Sequence, residues 1–386
     1  MSRASLSVPR RRLAFLTLAR ILVNTIYRMV YPFLGVFRTA LGASLEQMSW
    51  ILTLRSTLGV LTPLFASIGD SRGRKAGMLV GIALFTLGCS LIWIRQTYFF
   101  FAIALLLTML GKYIFDPSLL AYVGDQVVYS VRGRVMALME FSWSLSFLVG
   151  VPLMGLLLKE FGWKAPFGIS AVLGAVLLVG LLSLNQASPP AKSPSRWQSF
   201  RAIFSSRIAL YALATGWAIS AANEVINLVF GVWLEETFRF RIAALGAATA
   251  VIGLSELIGE SLVAALVDRL GKPQTVSLGI LLNILAAIGL AQSRSSISAV
   301  SGLFFFYVTF ELTLVSSIPL VSEIFPEQRA TMLSSTGASH ALGRAFGALI
   351  AAPLYQMGLS ANLAVAIALN LLALLALRAL TQRKTL

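Results

Sequence analysis

Charge is what this chain has least of. Only 12% of its 386 residues are charged, against 58% hydrophobic, a balance that no soluble domain of this length keeps in solution. Cysteine occurs once, as Cys89, and histidine once, as His340. A single cysteine excludes an intramolecular disulfide and any cysteine-based metal site. His, Cys and carboxylates nowhere cluster at metal-ligand spacing, and no nucleophile–base pair is evident. No Gly-rich loop ending in Lys-Ser/Thr is present either, so ATP hydrolysis has no engine here. The expectation is a protein that is not an enzyme and uses no cofactor and no metal. Acidic residues are the scarcer charge, 15 against 31 basic, leaving a net +16. In a soluble chain that surplus would suggest nucleic acid. In an apolar one it belongs to short loops that set membrane orientation, so no nucleic-acid partner is expected.

What the chain does have is apolar runs of about twenty residues from end to end, the length that crosses a bilayer core of roughly 30 Å. Punctuation by polar loops predicts twelve spans: 13–37, 46–68, 76–95, 98–124, 134–158, 166–185, 208–234, 242–267, 274–292, 298–322, 331–357 and 361–379. They divide into a first bundle over 1–185, a linker over 186–207 and a second bundle over 208–386. The linker is rich in proline and serine around Ser188-Pro189-Pro190, which disfavours helix and strand. Arg10-Arg11-Arg12 before the first run resembles the start of a signal peptide. That run lacks a small-residue cleavage pattern, so it reads as a retained helix. Lys and Arg crowd the loops on the side of the N-terminus and are sparse in the others. This places both termini and the linker in the cytoplasm of a multi-pass inner- or plasma-membrane protein, read as a monomer in its lipid bilayer.

Between spans 2 and 3 stands Gly69-Asp70-Ser71-Arg72-Gly73-Arg74-Lys75, and 198 residues later stands Asp268-Arg269-Leu270-Gly271-Lys272. At that offset Asp70 maps on Asp268, Gly73 on Gly271, Arg74 on Lys272 and Asp125 on Glu323, while Arg132 falls one residue from Arg329. The chain therefore reads as two copies of one unit. Gly73 and Gly271 suit the tight turn that so short a connection demands. Arg74 is placed to pair with Asp125, and Lys272 with Glu323. A polar loop that merely obeys the orientation rule would explain the charges without the paired spacing.

The segment from Ala66 to Lys75 resembles the signature of the major facilitator superfamily, Gly-x-x-x-Asp-Arg-x-Gly-Arg-Arg/Lys. Asp70, Gly73, Arg74 and Lys75 match it, whereas Ala66 and Ser71 depart from it, and the second copy makes the same Ala-for-Gly change at Ala264. The resemblance implies an all-α membrane protein with twelve transmembrane helices in two pseudo-symmetric six-helix bundles around a central cavity. It also implies that Asp70 and Asp268 cap helices of the opposite half in a cytoplasmic gate that opens and closes. Bacterial drug- and sugar-efflux-type members are the nearest in appearance.

Twelve ionisable residues fall inside the spans, each costly there unless it meets a partner or water. Leaving aside Glu46, Arg95, Arg134 and Arg378 at the span ends, they are Arg20, Arg28, Arg55, Lys112, Asp116, Glu140, Glu224, Glu256, Glu260, Glu311, His340 and Arg344, and none of these lies on spans 3, 6, 9 or 12. In the superfamily's architecture those four spans are peripheral. Lys112 and Asp116, four apart, share a helix face as an ion pair or a substrate contact. Glu256 and Glu260 repeat that spacing on span 8. Carboxylates crowded in low dielectric raise one another's pKa, which makes them, with Glu140, candidates for proton coupling or else braces of the gate. His340 is a fourth coupling candidate, or a packed hydrogen-bonder beside Arg344. Pro32 should loosen span 1 just after Arg28 and Tyr31. Asn223, Glu224 and Asn227 lie on span 7 near where the offset places Asn24 and Arg28, so matched polar positions mark a midplane substrate site. Arg55, Glu311 and Arg344 complete that set, with interhelical glue as the other reading. Gly150-Val151-Pro152-Leu153-Met154-Gly155 loosely resembles the helix-5 motif of drug–proton antiporters in the superfamily.

The reading is a secondary transporter working by alternating access, exporting a small organic molecule (drug, sugar or metabolite) in exchange for protons. Proton-coupled uptake of a small anionic metabolite is the alternative, favoured by the embedded arginines. A non-transporting receptor or scaffold is a third class, against which the two paired loops argue.

Overall fold

The computed structural model describes residues 10–62, 73–127, 129–184, 196–325 and 328–384, and among them there is no strand. Span 1 is two helices, Arg10–Met29 and Leu34–Leu41, bent by 65° at the break. Pro32 sits in that break, where its missing N–H and its ring prevent the helix from continuing. Span 7 breaks at the equivalent place, between Arg207–Asn227 and Phe230–Phe238. Span 2 begins at Leu45 under a capping box between Ser44 and Gln47, runs to Thr57 and tightens into a 3₁₀ turn over Leu58–Leu61. Spans 3 and 4 are Arg74–Ile94 and Tyr98–Gln126. Span 5 runs from Tyr129 to Phe161 with one π turn, Ser146–Gly150, directly before Val151-Pro152. Span 6 is Ala165–Leu182, and spans 8 to 12 are Ile242–Leu270, Lys272–Ala291, Ser296–Ser322, Arg329–Gln356 and Leu359–Lys384.

Nine of these helices are long and apolar enough to cross a membrane alone, and the bent pair of span 1 makes a tenth. Span 11 is 28 residues long, about 42 Å at 1.5 Å per residue, but rich in Ser, Gly and Ala. Residues 185–195 of the predicted linker lie outside the described residues. The expectation that the linker avoids helix fails beyond them, because Arg196–Ser205 is a ten-residue helix. It starts just past the last proline of the linker, and its Ile203 is buried in a cluster with Leu213, Val276, Leu320 and Met332.

The helices form two compact units, and these do not follow the midpoint of the sequence. One comprises Met1–Val30, Thr39–Gly42 and Leu64–Ala191; the other comprises Tyr31–Arg38, Ala43–Pro63 and Lys192–Leu386. Within the first unit, spans 3 and 4 approach until a Cβ at Gly81 would strike the Gly111 carbonyl and Phe115. Within the second, Gly279 on span 9 meets Thr313 on span 10 in the same way, 198 residues on. Span 11 lies on span 7 through Gly343 against the Trp217 carbonyl and Gly347 against the Ala221 carbonyl. Lipid offers no hydrophobic drive between helices, so such close backbone approach and interhelical hydrogen bonds hold them. Asn362 supplies two, to the Val225 and Ala351 carbonyls at 3.1 and 2.9 Å. The outward faces of spans 3, 6, 9 and 12 are apolar and exposed, as at Leu87, Val176, Leu285 and Leu375. Those are the four spans with no Asp, Glu, Lys, Arg or His in their central turns.

Candidate functional site

The connections between the second and third spans of each half have matching geometry. Gly73 has φ 94° and ψ 148°, and Gly271 has φ 87° and ψ 156°, a region that L side chains avoid. Arg74 Nε lies 3.3 Å from Asp125 Oδ2, and Lys272 pairs with Glu323. Both pairs span 51 residues. Lys75 instead donates to the Leu182 and Leu184 carbonyls at 2.6 and 2.7 Å, tying span 3 to the end of span 6. Arg329 donates to the Ser322 carbonyl at 3.1 Å, and Asp268 and Arg269 are exposed. Asp70 lies outside the described residues, as does the side chain of Arg132.

In the first unit a buried ionic network joins spans 1, 4 and 5. Arg20 is its hub. Its guanidinium grips Glu140 at 3.0 and 3.2 Å, donates to the Met139 carbonyl at 2.8 Å and lies 3.6 Å from Asp116. Lys112 Nζ holds the other oxygen of Asp116 at 2.5 Å and also bonds Asn24, whose amide donates to Ser142 at 3.3 Å. One turn along span 1, Arg28 donates to the Trp143 carbonyl at 2.9 Å. Its charge lies 4.2 Å from the Trp143 ring centre and 3.5 Å from that of Phe147, so aromatic faces solvate a cation that is 4% exposed. The π turn of span 5 begins three residues past Trp143, and Ser146 donates to the Trp143 carbonyl at 2.5 Å. Gly150, at the end of that turn, leaves room for Thr25 of span 1.

In the second unit Glu224 is 1% exposed. Tyr31 Oη donates to it at 2.8 Å and Asn227 at 3.2 Å, and Tyr307 Oη donates to Asn227 at 2.8 Å. The Arg55 guanidinium lies 5.1 Å from the Tyr31 ring centre, and Arg55 and Arg344 both act on the Glu224 charge. Asn223 is buried beside it, and its amide nitrogen has no hydrogen-bond partner. His340 Nδ1 lies 2.6 Å from Ser220 Oγ. Glu256 and Glu311 are also buried, and Gly259, between Glu256 and Glu260, abuts Glu311.

The structure thus brings Asn24, Lys112, Asp116 and Glu140 into one network, and Tyr31, Arg55, Glu224, Asn227 and Arg344 into another. Sequence reasoning did not name Arg20 as a hub. A visible signal existed, because Arg20, Asn24 and Arg28 recur every fourth residue on span 1. It likewise did not connect Ser220 with His340.

The pattern of the Major Facilitator Superfamily matches residues 16–348, and again 218–385. The chain belongs to that superfamily. The MFS-type transporter YwfA of Bacillus subtilis is 26% identical over 302 residues, covering 76% of this chain and 73% of that one. The multidrug resistance protein MdtM of Escherichia coli K12 is 29% identical over 160 residues, 39% of this chain and 38% of its own. Among solved structures, a bacterial homologue of the human lysosomal transporter Spinster superposes with TM-score 0.70 at 14% identity, over 96% of this chain and 94% of the other. A major facilitator chain is a multi-pass membrane protein that moves small molecules across the bilayer by alternating access, as a secondary transporter.

Proposed function

We propose that this transporter exports a small organic molecule, a drug, sugar or metabolite, in exchange for protons across a bacterial plasma membrane, with both termini cytoplasmic. The observation that carries the reading is the sharing of one guanidinium by two acids. Arg20 serves both Asp116 and Glu140, and the Glu140 side chain is 56% exposed. One carboxylate can take up a proton while the other keeps its counter-ion, as a site that loads and unloads protons requires. Glu140 therefore leads the coupling candidates, ahead of Glu256, Glu260 and a His340 already engaged by Ser220. The loops with Asp70, Asp125, Asp268 and Glu323 act as the cytoplasmic gate. Solute contact is assigned to Asn24, Arg28 and Lys112 within the first unit and, separately, to Asn223, Glu224 and Asn227 within the second. The name of the Escherichia coli relative supports export. The second reading, uptake of an anionic metabolite, is supported by Arg55 and Arg344, whose charges both act on Glu224.

The test is a pH-sensitive dye sealed inside liposomes that carry the purified protein and have an acidic lumen. Drugs, sugars and organic anions are then added outside. An exchanger brings solute in and protons out, so the lumen becomes more alkaline, whereas a symporter acidifies it. Solute uptake without any pH change would remove proton coupling, and Glu140→Gln should abolish the proton signal.

A further inference from the structure

Among the described residues span 5 alone contains a π turn, Ser146–Gly150, in which the Val151 N–H donates to the Ser146 carbonyl five residues back. Pro152, one residue further, has no N–H for the Leu148 carbonyl, and its ring crowds that oxygen, which a widened turn relieves. Span 1 grips this turn from both ends. Just before it, Arg28 of span 1 and Ser146 both donate to the Trp143 carbonyl, at 2.9 and 2.5 Å. At its end, Thr25 fills the place of the Cβ that Gly150 lacks. Side-chain donors that take a helix carbonyl compete with its backbone donor and open the ladder locally. A guanidinium is the stronger of the two donors because it is charged. The same face of span 1 meets the stretch before the turn, where Arg20 donates to the Met139 carbonyl and to Glu140, and Asn24 to Ser142. Exposure changes from residue to residue there: Leu138, Glu140 and Phe141 are exposed, and Met139 is fully buried.

We infer that Arg28 is a positioning residue: by holding the Trp143 carbonyl it keeps the π turn open, and the open turn sets the register in which Glu140 meets Arg20. A π turn carries one residue more than the α turn it replaces, and one residue is about 100° of helix rotation. Tightened to α, the turn would carry each residue before it to the place of its predecessor. Met139 would come to lie where Leu138 is and Glu140 where Met139 is, so the Glu140 carboxylate would leave the Arg20 guanidinium. Arg28 thereby links cargo to proton. A solute group that draws its guanidinium off the Trp143 carbonyl turns Glu140 away from its counter-ion. That consequence rests on the Glu140 coupling reading above, whereas the register itself does not.

The experiment reads the register directly. Spin labels are placed one at a time at Leu138→Cys, Met139→Cys, Glu140→Cys and Phe141→Cys of the full chain, with Cys89→Ala, in lipid nanodiscs. Collision of each label with oxygen and with an aqueous nickel chelate is measured. The native pattern should have its minimum at position 139. In Arg28→Met, which keeps the length of the side chain and removes its donors, the minimum should move by one residue, to 140. Ser146→Ala, which removes the neutral donor to the same carbonyl, should move a smaller fraction of the molecules the same way. A minimum that stays at 139 in Arg28→Met overturns the assignment. So does a pattern that merely flattens, since loosening without rotation exposes all four positions alike. A minimum at 140 with an unaltered proton signal in the liposome assay would leave the register standing and remove Glu140 as the coupling site.

Discussion

Two pairs of residues join corresponding spans of the two halves, two positions out of register, and differ in kind. Arg20 and Glu140 join spans 1 and 5, and Ser220 and His340 join spans 7 and 11; both pairs are 120 residues apart. The first is ionic and extends to Asp116 and Lys112, whereas the second is a single hydrogen bond from a buried ring. By contrast, the loop pairs Arg74–Asp125 and Lys272–Glu323 keep opposite charges in both halves. Repetition of the fold therefore preserved where helices touch, and preserved charge only where loops turn. Inside the spans the halves have taken different chemistry, one holding an arginine-centred ionic network and the other a carboxylate bonded by a tyrosine.

Removal of the hub tests that contrast most severely. Arg20→Ala leaves Asp116 with Lys112 alone and the half-exposed Glu140 without its cation, at a cost somewhat below the about 3–5 kcal/mol of breaking a fully buried pair from one side. A large fall in thermal stability in detergent is expected, partly restored when Asp116→Asn and Glu140→Gln are added. A normal melting temperature would mean that the network carries no such weight. Next come the turns. Gly73→Ala and Gly271→Ala each force a Cβ into the left-handed region at about 1–2 kcal/mol, and equal losses in the two halves are expected. Ser220→Ala should cost only about 1 kcal/mol, because it removes one neutral hydrogen bond. If it matched Arg20→Ala, the two halves would not differ as described. The smallest effect belongs to the loop pairs. Double-mutant cycles on Arg74–Asp125 and Lys272–Glu323 should each give below about 1 kcal/mol and shrink in high salt, so any large effect of these residues on transport would arise from gating.

The spans were legible because a bilayer imposes one length on every helix, and the repeat because charges are too rare in this chain to coincide by accident. The break at Pro32 was legible from its chemistry, whereas the matching break at residues 228–229 has no proline to announce it. Lys112 and Asp116 were readable as a pair from their spacing of four. The partner of Glu140 was not, since Arg20 lies 120 residues away and no periodicity reports a contact between helices. Arg28 illustrates the same limit. The sequence offered it to a solute or an acid, and nothing in the composition distinguished Trp143 and Phe147, which hold it, from aromatics that anchor a helix at the membrane surface.

The exchange of Tyr31–Arg38 and Ala43–Pro63 into the second unit also sets a timetable for biosynthesis. Their partners are far downstream: Glu224 follows Tyr31 by 193 residues, and Gln356 follows Glu46 by 310. At the ~5–20 residues per second of translation, those segments wait roughly 10–60 s in the membrane before the groups that complete them are made. During that interval the polar faces of Tyr31, Ser49 and Arg55 need another host, which makes the half-finished chain the natural client of an insertion chaperone.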